Sequence, residues 1–293
     1  MDVSEKTIEL SIILPSLNEA RSLDTLLPEL QEAFPEAELI VVDDGSDDDT
    51  ADTCERLGCR RVANPYRMGN GAAIKRGARS ARGANLAMLD ADGQHTVKHL
   101  LQLWERFQSV DCDMVVGARH QKDHASLFRR FGNATFNRLA SWMTGQKITD
   151  LTSGLRITRA RRFREFLHLL PNGFSYPTTS TMAFFRSGYT VIYEPIDVKR
   201  REGRSHLKIW REGARFLVII FKIGALYSPL KLFLPVSLFL FVAATALYGY
   251  TYMDTGRFTN MSALLYMTSL LTFLIGIVSE QITSLMFARR ERE

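Results

Sequence analysis

The stretch "AELIVVDDGSDDDTADTCERLG", Ala37 to Gly58, decides the fold. Its apolar, β-branched first half is too short for a helix and stops at turn-forming acids, so it predicts a buried strand. Its second half opens with capping acids and continues amphipathically, which predicts a helix. The same alternation recurs on either side. "IELSIIL" reads as a strand and "EARSLDTLLPELQEAF" as a helix. Downstream, "CRRVA" reads as a short strand, "GNGAAIKRGARSA" as a helix, "NLAMLD" as a strand, "VKHLLQLWERFQ" as a helix and "CDMVVGAR" as a strand. A βαβα order of this kind predicts an α/β, Rossmann-like domain with a mostly parallel sheet between helix layers.

Such sheets bind ligands outside the carboxyl ends of their strands. Three polar clusters fall at those ends: Asn18 with Glu19, Asp43 with Asp44, and Asp90 with Asp92. In "NLAMLDADGQH", Asn85 to His95, the last pair stands one residue apart. Two carboxylates so close repel unless a cation lies between them. Hard oxygen donors select Mg²⁺ or Mn²⁺, ions that usually share their shell with substrate phosphates, and Gln94 adds a neutral oxygen. A pair of solvated turn acids is the plainer alternative, but the position beside "DDGS" at a sheet edge favours binding. Asp43 and Asp44 can accept hydrogen bonds from a base or a ribose, Gly45 allows the sharp turn, and Asp47 to Thr50 suit a helix cap. "NPYRMGNGAAIKRG" resembles a dinucleotide fingerprint, but Ile74 replaces its third glycine. It reads instead as a glycine-eased helix start packed near a nucleotide, with Arg67 near phosphate. An oxidoreductase is set aside on that ground.

The overall balance, 46% hydrophobic and 24% charged, is that of a globular protein. It hides an asymmetry, because charge nearly vanishes after Leu230. Leu232–Tyr252 carries none, and Met261–Ala288 carries only Glu280. Each run is long enough to cross a bilayer as a helix, and "MDTGRFTN" between them suits a hairpin. Glu280, an ionisable group inside a span, is expected to find a partner across the helices or at the interface. Lys222 and Lys231 precede the pair of spans, Arg289, Arg290 and Arg292 follow it, and the link holds only Arg257. This asymmetry predicts an integral, two-pass protein with both termini and the large domain on the cytoplasmic side. "MDVSEKTIEL" has no apolar core of signal-peptide length. Cys54, Cys59 and Cys112 are expected as free thiols. The net charge of +5 suits an anionic lipid surface and is too mild to argue for nucleic acid. The predicted organisation is a catalytic domain over 1–203, juxtamembrane amphipathic helices over 204–229, and a hairpin with a basic tail over 230–293. "FSYPTTSTMAFFRSGYTV" either lines an acceptor groove through Ser175, Tyr176 and Thr178 or packs on the sheet as a helix with Pro177 at its start.

"LPSLNEA", "VVDDGS", "GNGAAIKRGA", "LDADGQH", "VVGAR", "TSGLR" and "RREGRSHLK" follow one another in that order from Leu14 to Lys208. Together they resemble the family 2 glycosyltransferases of the GT-A fold, and within them the dolichol-phosphate mannose synthase group. "YSPLKLF" before the hairpin resembles the bacterial, membrane-anchored branch. The resemblance implies inverting transfer of one sugar from a nucleotide-sugar (GDP-mannose or a UDP-hexose) to a polyprenyl or dolichyl phosphate. It implies that Pro15, Leu17, Glu19, Val42, Asp43 and Asp44 line the nucleoside pocket. Asp90, Ala91, Asp92 and Gln94 would form the metal and diphosphate site. Arg119 and Arg200, with Ser205 and His206, would meet the acceptor phosphate, and Asp92, Arg119 and Arg200 would carry catalysis. Leu17 stands where the group often has Tyr, and His206 where many members have Lys, with Lys208 two residues on. A hairpin of this kind leaves homo-oligomerisation open. One rival, a processive polysaccharide synthase, would carry a QxxRW motif, absent from "LKIWREG". The other, a non-catalytic scaffold, would have no use for Asp90, Asp92, Arg119 and Arg200.

Overall fold

The computed structural model describes residues 8–91, 95–119, 127–173, 175–197 and 224–288. The first compact unit comprises 1–142 with 146–204, the second 143–145 with 205–293. In the first, strands β1 (Leu10–Ser16), β2 (Glu38–Asp43), β3 (Arg60–Ala63) and β4 (Asn85–Met88) alternate with helices α1 (Ala20–Ala33), α2 (Thr50–Arg56) and α3 (Asn70–Ser80). Then follow α4 (Val97–Ser109), β5 (Met114–Arg119), α5 (Leu127–Thr144), β6 (Arg156–Arg159), α6 (Ala160–Glu165), α7 (Tyr176–Arg186) and β7 (Val191–Ile196).

The seven strands form one sheet in the order β3-β2-β1-β4-β6-β5-β7. β1 pairs in parallel with β2 and β4, β2 with β3, and β5 with β7. The sheet is thus mostly parallel, as expected of a GT-A domain, and β6 is its exception, running antiparallel to both β4 and β5. Its beginning therefore lies at the edge where β4 and β5 end. That reversal shapes the candidate site.

Packing follows from periodicity. α1 buries Leu23, Leu26, Leu27 and Leu30, one stripe at helical spacing. They join Ile12 and Leu14 of β1, Val41 of β2, and Leu100 and Leu103 of α4 in a single apolar cluster. Each fully buried leucine contributes about 2 kcal/mol. Ile13 alternates to the opposite face, where α3 packs so closely that a Cβ on Gly77 would lie 2.4 Å from Ile13 Cγ2 and 3.1 Å from Val42 Cγ2. Asp48, one of the acids expected to cap, accepts from the backbone N–H of Thr50 at 3.1 Å and of Ala20 at 3.0 Å, tying the starts of α2 and α1. The segment around Pro177 takes the packing alternative. α7 buries Tyr176, Pro177 and Thr178 through Phe184.

In the second unit, α8 (Pro229–Thr255) and α9 (Asn260–Ala288) are long and apolar enough to cross a membrane, with mean hydropathies of 2.1 and 2.0 in an 18-residue window of each. Only 11% and 17% of those windows are buried, unlike the mostly buried core helices of a soluble domain. α8 ends on Gly256 in the left-handed conformation (φ 65°), its N–H bonded to Tyr252 O. The two helices exchange Ser237 Oγ–H to Ser269 O (2.9 Å) and Ser269 Oγ–H to Ser237 O (2.8 Å). Glu280 finds its partner across the hairpin, accepting from the Leu230 N–H at the start of α8 (3.2 Å).

Candidate active site

The carboxyl edge of the sheet collects most of the residues singled out from sequence, in three groups.

At the ends of β1 and β2, the loops lock together. Asn18, in the left-handed region at φ 58°, donates its N–H to Ser46 Oγ (3.0 Å) and accepts from Asp47 N–H on Oδ1 (2.9 Å). Asp43 is buried in an ion pair with Arg61 (2.6 Å) and accepts from Ser46 N–H (2.9 Å). Burial opposes its charge, and these bonds more than offset burial, so its pKa falls below the ordinary carboxylate value. Asp44 is buried as well. Its Oδ1 accepts from Asn64 Nδ2 (2.7 Å) and Met68 N–H (2.8 Å), its Oδ2 from Gly69 N–H (2.8 Å). The two aspartates thus organise the connection from β3 into α3. Val42 is fully buried against α3, so its side chain faces the core, whereas Pro15, Leu17 and Glu19 are partly exposed at the edge.

Asp90 follows β4. Its carboxylate rests over the bare Cα of Gly154, and Asn70 Nδ2 stands 3.4 Å from Oδ1. Ala91 beside it is buried. Asp92 and Gln94 lie outside the described residues, as do Arg200, Ser205, His206 and Lys208. Among the described residues no three His, Cys, Asp or Glu side chains converge as a ready-made metal cage. The donors at hand fit Mg²⁺ or Mn²⁺ nonetheless. They are hard carboxylate oxygens at an open edge, and these ions commonly complete their shells with water and phosphate rather than protein.

Arg119 ends β5. Its Nε donates to Asp150 Oδ2 (2.7 Å), and its Nη2 to Asp150 Oδ1 (3.0 Å) and Thr152 Oγ1 (2.7 Å). Nη1 has no hydrogen-bond partner among the described residues. Burial opposes the charge on Arg119, but Asp150, with a smaller contribution from Asp90, outweighs it and raises the pKa. Burial likewise opposes the charge on Asp150, and the guanidinium overcomes it, holding that carboxyl below its usual range. His95, buried nearby, is held neutral, its pKa lowered to about 4 by burial and then by the positive charge of Arg119.

Thr152, Gly154 and the fully buried Arg156 lie in the "TSGLR" motif but were given no role from sequence, and Asp150 was not singled out at all. Arg156 donates from Nη1 to Pro177 O (3.0 Å) and Ser180 Oγ (2.7 Å), and from Nη2 to Ser153 O (2.5 Å). The signal was present in "DLTSGLR", an acid two residues before a small-residue turn, but nothing local says that this turn faces the edge.

Comparison with known proteins places the chain among sugar-transfer enzymes by family. Residues 228–285 match the GtrB C-terminal hairpin. Glycosyltransferase AglD of Haloferax volcanii is 29% identical over 205 residues, 65% of this chain and 33% of that protein, so the chain spans a third of that relative's length. The undecaprenyl-phosphate mannosyltransferase of Micrococcus luteus is 29% identical over 208 residues, 65% of this chain and 83% of that protein. Among solved structures, the UDP complex of glucosyl-3-phosphoglycerate synthase from Mycobacterium tuberculosis superposes with a TM-score of 0.60 at 18% identity, covering 73% of this chain and 79% of that one. At that identity the likeness speaks for the fold alone. Residues 11–167, more than half of the chain and including Asp43, Asp90, Arg119 and Asp150, match the Glycosyl transferase family 2 model, and the chain belongs to that family.

Proposed function

We propose that the protein transfers one sugar, with inversion, from a nucleotide-sugar to a polyprenyl or dolichyl phosphate at the cytoplasmic face of the membrane. The observation that carries this reading is the state of Arg119. Its guanidinium is clamped by Asp150 and Thr152, carries a secure positive charge, and leaves Nη1 unclaimed among the described residues beside Asp90. A fork held in this way is pre-organised for a phosphate oxygen. The name of the Micrococcus relative, an undecaprenyl-phosphate mannosyltransferase, supports the acceptor class.

The chemistry needs little else from the protein. A lipid monophosphate has its second pKa near about 6, so at neutral pH its oxygen is already an anion. That oxygen attacks the anomeric carbon, the bond from this carbon to the donor diphosphate breaks, and the nucleoside diphosphate leaves with the electron pair. No proton has to be removed, so no general base is required. Mg²⁺ or Mn²⁺ at the carboxylates would stabilise charge on the departing diphosphate. Asp90, Asp92 and Gln94 hold that end of the donor, Pro15, Leu17 and Glu19 frame its nucleoside over a floor fixed by Val42, Asp43 and Asp44, and Arg119 and Arg200, with Ser205 and His206, orient the acceptor phosphate. The catalytic domain covers 1–203 and the juxtamembrane helices 204–229, and the hairpin over 230–293 keeps the polyprenyl tail in lipid. Lys222, Lys231 and Arg289, Arg290 and Arg292 set the cytoplasmic orientation.

Asp92→Ala is expected to abolish transfer in detergent micelles while leaving the melting temperature near that of the wild type. Full activity of this variant at saturating Mg²⁺ or Mn²⁺ would remove Asp92 from the site.

A further inference from the structure

The segment Thr152–Arg156, "TSGLR", contains no group that bonds to the reacting molecules in the mechanism above. Because β6 runs against its neighbours, the segment stands at the carboxyl edge, directly behind Asp90. A Cβ built on Gly154 would lie 2.4 Å from Asp90 Oδ2, 3.1 Å from Cγ and 3.5 Å from Oδ1. Its three nearest atoms all belong to that one carboxylate. Gly154 is absent from the residues with positive φ, so backbone conformation does not demand glycine there. Space does. The contrast with the glycines of α3 is informative. A Cβ on Gly77 meets the core side chains Ile13 and Val42, and one on Gly71 meets the backbone oxygens of Pro171 and Gly173. Those two serve helix packing, whereas Gly154 makes room for a functional group.

The backbone at Gly154 is also pinned. Tyr176 Oη donates to Gly154 O (3.4 Å), the buried Arg156 donates to Ser153 O (2.5 Å), and Gly117 N–H donates to Leu155 O (3.0 Å). A methyl group added there cannot retreat with its own chain. It must turn the short aspartate side chain.

We propose that Gly154 is a positioning residue. Its bare Cα seats the Asp90 carboxylate and fixes where that carboxylate presents its oxygens to a divalent cation and the donor diphosphate. The proposal rests on the reading of Asp90 as a ligand of that cation. Groups that orient metal ligands typically change affinity by about 10- to 100-fold when altered.

The test uses the full-length protein in detergent and four forms: wild type, Asp90→Ala, Gly154→Ala and the double variant. Mn²⁺ binding is titrated by electron paramagnetic resonance, alone and with UDP or GDP, and each form is melted. Gly154→Ala is expected to bind Mn²⁺ about 10- to 100-fold more weakly, with a melting temperature within about 4 °C of wild type. Adding Gly154→Ala to Asp90→Ala is expected to cause no further loss, since the group it displaces is gone. A merely structural role would lower the melting temperature and would leave it low in the double variant. Wild-type affinity in Gly154→Ala, with Asp90→Ala weak, would overturn the positioning role alone. Wild-type affinity in Asp90→Ala would overturn the assignment of Asp90, and the functional claim for Gly154 with it. Additive losses in the double variant would also overturn the proposal, because the two residues would then act separately.

Discussion

Asp150 carries more of the site than its absence from the sequence-based assignment implies. It grips Arg119 through two side-chain bonds and accepts its backbone N–H at 3.3 Å. Its folded pKa lies below the ordinary value of about 3.9. A carboxyl of this kind contributes stability that is present above the unfolded pKa and is lost as pH falls through the folded pKa. Asp150→Asn is therefore expected to destabilise the domain at neutral pH by about 2 kcal/mol, the scale of a charge-assisted bond. The gap to wild type should narrow on acidification below about pH 4. Urea melts across pH check this, and a gap that widens towards acid would contradict it. At the same scale, Asp90 could be placed at the sheet edge because an acid closes an apolar run there, whereas Arg119 was singled out only through the resemblance carried by "VVGAR", and Asp92 lies outside the described residues. The roles of Asp150, Thr152 and Gly154 were not legible, although "TSGLR" stands among the motifs, because the rule of carboxyl ends inspects the wrong end of an antiparallel strand. Asp43 and Asp44 were located from the sequence, but their bonds to Arg61 of β3 and to Asn64, Met68 and Gly69 of the loop that follows it arise from strand pairing and chain reversal, which spacing along the chain does not encode.

Among the elements, α3 and β6 set the site. α3 approaches β1 and β2 closely because Gly77 has no side chain, and that approach carries Gly69 and Asn70 to the edge beside Asp44 and Asp90. Gly77→Ala is expected to lift the helix off Ile13 and Val42 and to destabilise the domain by about 1–3 kcal/mol, the usual penalty of overpacking. Differential denaturation measures it, and an unchanged midpoint would show that the layer can yield. From β1 to β5 the helices and parallel strands of this unit were readable from periodicity, and α7 stood as one of two alternatives, whereas α5, α6 and β7 were not identified. β6 was not, since "RITR" offers arginine at both ends of a four-residue strand and its Arg156 is wholly buried. Tertiary pairing on both sides, rather than local pattern, makes it a strand.

The chain divides into an α/β unit and a second unit whose hairpin exposes an apolar surface. The proposed topology puts the link between the spans on the far side from the catalytic unit. The native thiols allow a direct check. Burial raises the pKa of Cys54 and Cys112, and raises that of Cys59 to about 11, so few reactive thiolates are present at neutral pH. In intact bacterial cells an impermeant maleimide is expected to label Asp254→Cys readily and Glu293→Cys only after permeabilisation. The reverse pattern would invert the protein in the membrane. The spans and their charge asymmetry were legible because composition alone decides them, whereas the partner of Glu280 across the hairpin required three-dimensional register.

The central claim is sugar transfer to a lipid phosphate, and a partition assay tests it most directly. The full-length protein in detergent is given a short-chain polyprenyl phosphate and radiolabelled GDP-mannose, UDP-glucose or UDP-N-acetylglucosamine, with Mg²⁺ or Mn²⁺. Label passing into the organic phase with one donor, dependent on the metal and on the lipid phosphate, is the predicted result. Label accumulating in an insoluble polymer, or no lipid-bound label with any donor although the protein binds the nucleoside diphosphates, would contradict it.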